Sequence, residues 1–184
     1  MLHPLMAHTI IADTQPSQSR REARATLEAE QLYQQVHWRG RLRRLWAALT
    51  RRSHHLLNLA EVEAAGRVVS RHFAGTQAVP LHQIKGSAST GRERDFDLDF
   101  YPLQEYDRQR WKGVAAVWQS GQSLPPVELV QVGQTYYVQD GHHRISVARA
   151  LGQAYIDAVI TVWEVQEPLQ EVPCLPQVRC LTPA

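Results

Sequence analysis

The chain has 184 residues, 43% hydrophobic and 21% charged, which suits one domain of ordinary size plus an extension and excludes a disordered chain. Its two cysteines, Cys174 and Cys180, both lie near the C-terminus, so a disulfide framework and a Cys-rich zinc module are excluded, and no apolar run reaches the ~20 residues of a membrane helix. Net charge is +2 but uneven: residues 20–72 carry +6, residues 73–184 carry −3 and residues 1–19 carry −1.

The first eight residues lack a basic stretch followed by a long apolar one, so no secretory signal is expected and the setting reads as cytoplasmic and reducing. Residues 1–19, with two prolines and little periodicity, read as a poorly ordered lead. Residues 20–75 read as a helical, basic extension. Within it Trp38, Leu42, Leu45, Trp46 and Leu49 fall on one helical arc, and Arg39, Arg41, Arg43, Arg44, Arg51 and Arg52 fall outside it. Gly40 lands on the solvent side of that arc. The helix could pack its apolar arc on the domain, bind DNA phosphates through Arg, or lie on an anionic membrane.

A second helix is predicted over 59–74. Asn58 and Glu61 have capping-box spacing, Leu59, Val62, Ala65, Val69 and Phe73 keep helical spacing, and Gly75 stands as a stop. The period then changes. Residues 78–81 read as a short strand, and 85–92 as a Gly/Ser/Thr loop with P-loop glycine spacing but no Lys-Ser/Thr ending. Residues 95–100 alternate Asp and apolar strictly, as a strand with Asp95, Asp97 and Asp99 on one face. Leu103 to Trp118 reads as a helix, stopped at Gly121. Residues 126–132 and 135–139 form a hairpin about Gly133, a helix follows over 142–151, and 156–164 is an apolar strand. The Pro-rich tail, 165–184, reads as irregular.

The segment Asp140-Gly141-His142-His143-Arg144 carries the chemistry. A strand ends, the chain turns at Gly141, and a helix begins whose first N–H groups lack partners within it. Such a terminus, at the positive end of the helix dipole, is an anion site, above all for phosphate. Arg144 could grip phosphate oxygens in two-pronged fashion, and His142 and His143 could donate to them. Adjacent helical residues point about 100° apart, so the two His do not chelate one ion from one face. Asp140 reads as a helix cap, with general base or Mg²⁺ ligand as the alternative. Arg144 has an ion pair with Asp140 or Asp95 as its alternative.

In this strand–turn–helix setting the segment resembles the ParB/sulfiredoxin-like superfamily. Val79-Pro80-Leu81-His82-Gln83-Ile84 looks like the family's opening strand and Leu124-Pro125-Pro126-Val127-Glu128-Leu129 like its central one. The resemblance covers residues 77–164 and implies an α/β fold, a small mixed sheet with packed helices. It also implies a nucleotide site (ATP, ADP or CTP) at Gly141, His142, His143 and Arg144. Where sulfiredoxins carry a nucleophilic Cys this chain has His142, which excludes sulfinic-acid repair by their route. Where partition proteins carry Glu-Arg it has His142-His143, and no helix-turn-helix reader is legible after Glu164.

A phosphate site commonly needs Mg²⁺, and Mg²⁺ needs carboxylates. Asp95, Asp97 and Asp99 are the metal candidates, against a reading as a solvated edge strand. Asp97, Glu93 and Asp140 are the candidates for a general base. The leading expectation is a nucleotide-binding domain, associated with DNA through its basic helix. A small-molecule phosphotransferase using an acid from 93–99, and a non-catalytic interaction module, are the competing classes. The oligomeric state is open.

Overall fold

Helix formers and apolar spacing continue without a break through the first third of the chain, and a single long helix results, α1 (Pro16–Thr50), opening on a proline whose fixed φ suits a first helical turn. The computed structural model describes residues 16–50 and 55–166. After α1 come β1 (Leu57–Asn58), α2 (Leu59–Ala65), β2 (Arg67–Pro80), β3 (Ile84–Ser87), α3 (Arg108–Gln119), β4 (Val127–Val132), β5 (Thr135–Asp140), α4 (His142–Ala150) and β6 (Tyr155–Gln166). The six strands form one mixed sheet in the order β1-β3-β5-β4-β6-β2. Pairs β1/β3, β3/β5 and β4/β6 are parallel, and pairs β4/β5 and β2/β6 are antiparallel. The chain is therefore α/β, as expected. Among the described residues no helix is long and apolar enough to cross a membrane.

Three layers hold the sheet. Its main core joins Val79, Ile84, Phe96, Phe100, Leu129, Val138, Ile145 and Ile160. A second cluster locks α1 to α3 and α4 through Ala29, Tyr33, Val36, Trp111, Ala115 and Val147. Trp111 is fully buried, donates from Nε1 to Ser146 Oγ at 2.8 Å and meets Tyr33 edge to face. A smaller cluster of Leu59, Val130 and Tyr137 lies under α2.

Three predicted elements are corrected. The helix over 59–74 stops at Ala65, and Arg67–Pro80 is instead a strand paired with β6 along its whole length, from Arg67 opposite Gln166 to Pro80 opposite Tyr155. Gly66 is the break: its backbone is extended, and a Cβ there would lie 2.5 Å from Val165 Cγ1. The following Val, Phe and Thr suit a pleated surface better than a helix. Gly75, read as a helix stop, sits at a register shift in β2 with φ +85°, a bulge that only a residue tolerant of the left-handed region accommodates. Part of the predicted 85–92 loop is also strand: β3 pairs with β5, and Gly86 lets the Tyr137 ring lie across it, where a Cβ would come within 2.2 Å.

The Asp/Phe alternation over 95–100 is the third correction. It forms a tight loop, closed by Phe100 N–H to Asp97 O at 2.8 Å and Leu103 N–H to Asp95 O at 2.8 Å, with Phe100 at φ +61°. Asp97 Oδ1 accepts from the N–H groups of Asp99 and Tyr101, a local competitor of strand pairing. Phe96 and Phe100 both enter the core, so the alternation encodes two apolar anchors and not a pleat.

The long helix packs by a face other than the one its Trp/Leu arc suggested. Ala25, Ala29, Tyr33, Val36 and Gly40 are buried, and Gly40, expected toward solvent, lies where a Cβ would meet Tyr101 Cβ at 3.1 Å. Small residues allow the close approach, and Glu30 ties α1 to Arg108 and Lys112 of α3.

Candidate functional site

β5 and α4 meet at Gly141, which has φ +103° and packs against Val127 of the neighbouring β4. The first intrahelical bond runs from Ile145 N–H to Gly141 O at 3.0 Å. The N–H groups of His142, His143 and Arg144 therefore point out past the helix start. Gly141 itself is the N-cap and no side chain caps the helix, so Asp140 does not take the capping role. A cleft of about 420 Å³ opens over this terminus, lined by Ser89, Arg92, Arg110, Gly141, His143 and Arg144 among others.

The two His are held in different ways. His142 Nε2 lies 2.9 Å from Ser87 Oγ, and its ring stacks on Phe96 at 5.9 Å. His143 meets the edge of Phe96 at 5.4 Å, and its Nε2 lies 3.2 Å from Asp107 Oδ1 without hydrogen-bond alignment. Neither ring nitrogen of His143 has a hydrogen-bond partner, although the residue is only 6% exposed and lines the cleft. Both imidazoles are held down to about 4: burial is the main cause, followed by Arg92 for His142 and by Arg110 and Arg92 for His143. Both are neutral at pH 7 and have one ring N–H each to give. Asp107 behind them is pushed up by burial and then by Asp95, and its Oδ2 is without a partner.

Arg144 has its guanidinium committed. Nη1 donates to Pro125 O at 2.7 Å and Pro126 O at 2.8 Å, and Nη2 pairs with Asp140 Oδ2 at 2.5 Å. It ties the approach to β4 onto α4, the structural alternative weighed for it. Arg144→Ala should lower stability by about 1–3 kcal/mol, because two carbonyls and a carboxylate lose charged donors. A urea titration checks this; an unchanged midpoint would show that the three contacts contribute nothing.

The acids of the 95–99 segment do not converge. Asp95 accepts from Tyr106 Oη and lies 3.6 Å from Arg92; Asp97 holds backbone N–H groups; Asp99 pairs with Arg43 and lies 3.5 Å from Arg149. Among the described residues no three His, Cys, Asp or Glu side chains group so as to hold a metal ion. The face once expected to present three carboxylates to a metal is thus dispersed by the loop geometry. The described residues include the backbone of Glu93 and Arg44 but not their side chains, and Arg51 and Arg52 lie outside them. Arg39 and Arg41 are exposed on α1, while Arg43 is engaged with Asp99 and lies over the Tyr101 ring at 5.3 Å.

Residues that sequence reasoning missed complete the cleft. Arg92 comes from the turn after β3, 3.5 Å from Asp107, and Arg110 from the exposed first turn of α3. Nothing in the spacing marks either one; only the packing of α3 on α4 brings Arg110 to the start of the helix. A second cleft of about 440 Å³, bordered by Trp118, Gln153 and Tyr155, shares Leu124, Pro125 and Arg144 with the first.

No family model and no curated protein matches the chain. Among solved structures the chain is similar to the sulfiredoxin from Arabidopsis thaliana, at 23% identity over 46% of this chain and 82% of that one, with a TM-score of 0.33. An overlap at that score has no weight for activity, and the α/β architecture rests on this chain's own sheet and helices.

Proposed function

We propose that the chain binds a nucleotide, with its phosphates at the start of α4. One observation carries this reading: a single cleft is lined by the start of α4, by Arg92 and Arg110, and by a buried His143 whose ring nitrogens have no hydrogen-bond partner. That combination suits a multiply charged, oxygen-rich anion, since these groups donate, and the Asp140 carboxylate that also lines the cleft is paired with Arg144. Arg92 and Arg110 would hold phosphate oxygens, His143 would give a ring N–H, and Arg144 would position the turn. The nucleoside would extend past Arg144 into the second cleft, where Trp118 and Tyr155 offer apolar faces. Mg²⁺, if it enters, would come with the nucleotide.

The phosphotransferase reading has a specific observation in its favour, although it moves from the acids expected for it. Asp107, buried with Oδ2 unpaired, lies 3.2 Å from His143, which itself lines the cleft. Asp95 is engaged with Tyr106 and Asp97 with the backbone. Asp107 with His143 is thus the pair that could accept a proton from an acceptor hydroxyl.

Thermal melting with ATP, ADP and CTP, each with and without Mg²⁺, tests the binding reading. A ligand at a hundred times its Kd should add about 2.7 kcal/mol to stability, several degrees for a chain of this size. No shift with any of the three would count against a nucleotide site. Product formation only with a hydroxyl acceptor, lost in Asp107→Asn with binding retained, would select the phosphotransferase.

A further inference from the structure

We propose that the outer face of the C-terminal half of α1 docks on an anionic bilayer surface. The helix is apolar on two opposite sides. Ala25, Ala29, Tyr33 and Val36 form the side buried on α3. At 3.6 residues per turn, Trp38, Leu42, Leu45 and Leu49 lie about half a turn round from it. They are 61%, 40%, 68% and 80% exposed. Among the described residues the cluster that joins the helix to α3 and α4 runs through the inner face, and Trp38, Leu42, Leu45 and Leu49 take no part in it. A run of large apolar side chains in water marks an interaction surface.

The flanks decide the partner. Arg39 and Arg41 border the stripe on its two sides, and no acidic residue stands between Glu30 and Glu61. The partner is therefore anionic. A second copy of the same face would bring arginine against arginine, which opposes self-pairing. Nucleic acid would satisfy the arginines but leave Leu42, Leu45 and Leu49 in water against phosphate. A bilayer surface with anionic headgroups satisfies both: Leu and Trp enter the acyl boundary, and Arg stays at headgroup level. The stripe spans residues 38–49, about 16 Å at 1.5 Å per residue, the reach of a helix lying in the interface and not across it.

The test uses the full chain and vesicles of phosphatidylcholine alone or with 30% phosphatidylserine. Binding to the mixed vesicles only, with a blue shift of tryptophan emission as Trp38 leaves water, is the expected result. Leu45→Gln with Leu49→Gln should weaken it at least tenfold, and Arg39→Gln with Arg41→Gln about fivefold per charge removed. Circular dichroism and melting of each variant verify that the fold is intact; as both pairs are exposed, neither should change. Three outcomes would overturn the proposal: no vesicle binding, vesicle binding indifferent to the leucine changes, or binding of duplex DNA in place of vesicles. Dimerisation abolished by the leucine changes, with no vesicle binding, would assign the stripe to a second copy instead.

Discussion

Gly141→Val should destabilise the protein by about 3–4 kcal/mol, a large share of the 5–15 kcal/mol typical of a domain. Two costs add. The residue stands at φ +103° and ψ 20°, where an L side chain is strained by about 1–2 kcal/mol. A Cβ there would also lie 2.5 Å from Val127 Cγ1 and 2.8 Å from its Cβ, and overpacking of a core typically costs about 1–3 kcal/mol. Val127 is fully buried in β4, paired with Ala158 of β6, and has nowhere to retreat. Since the first side-chain carbon does the damage, Gly141→Ala should cost nearly as much as Gly141→Val. Urea unfolding of the two variants checks this. A loss below about 1 kcal/mol in Gly141→Ala would mean that the turn relaxes away from Val127. The glycine is thus required by the fold before any ligand approaches it.

Acidification from pH 7 to pH 5 should remove about 4 kcal/mol of stability, again through the start of α4. His142 and His143 titrate near 4 in the folded protein, held there first by burial, against an ordinary value of 6.5 once unfolded. The unfolded chain therefore takes up two protons as pH falls through 6.5, while the folded chain takes them up only near 4. Stability is unaffected by these groups above pH 7 and falls between pH 6.5 and 4, by about 2 kcal/mol per ring at pH 5. Asp107, raised by burial, works in the opposite sense: the folded state takes its proton first as pH falls, which offsets part of the loss. Urea unfolding at pH 7 and pH 5 measures the difference. His142→Gln should remove about half of it, and equal stability of the unaltered protein at the two pH values would contradict neutral, buried imidazoles.

What the sequence discloses depends on how local the encoding is. The β4–β5 hairpin and α4 are written in turn chemistry: Gly133-Gln134 between apolar runs, then Gly141 after a strand, and the observed bounds follow closely. The helix start, and with it the core of the candidate site, is legible for the same reason. Residues 59–74 are not, because Val69 and Phe73 happen to keep helical spacing although they are 53% and 69% exposed in a strand. Strand β2 owes its existence to β6, 80 or more residues away along much of its length, and pairing at that distance overrides local period. Asp97 shows the same limit on a smaller scale: a carboxylate that bonds to two backbone N–H groups replaces a pleat with a turn. Arg92 and Arg110 are invisible in the sequence because only tertiary packing, of the turn after β3 for Arg92 and of α3 on α4 for Arg110, makes them line one cleft with Gly141. On α1 the Trp/Leu arc is legible but its use is not, because the small residues Ala25, Ala29 and Gly40 determine which side meets the domain.

Calorimetric titration of nucleotide with Mg²⁺ into the intact protein and into Arg110→Ala tests the phosphate site most directly. Arg110 is exposed and pairs with no carboxylate among the described side chains, so its removal should leave the fold alone. A hydrogen bond to a charged group contributes about 1.5–3 kcal/mol, so the variant should bind about tenfold to a hundredfold more weakly. Arg144→Ala, whose guanidinium serves Asp140 and two proline carbonyls, should lose less affinity than Arg110→Ala. Equal affinity in the intact protein and Arg110→Ala, or no heat with ATP, ADP or CTP, would contradict a phosphate site at the start of α4.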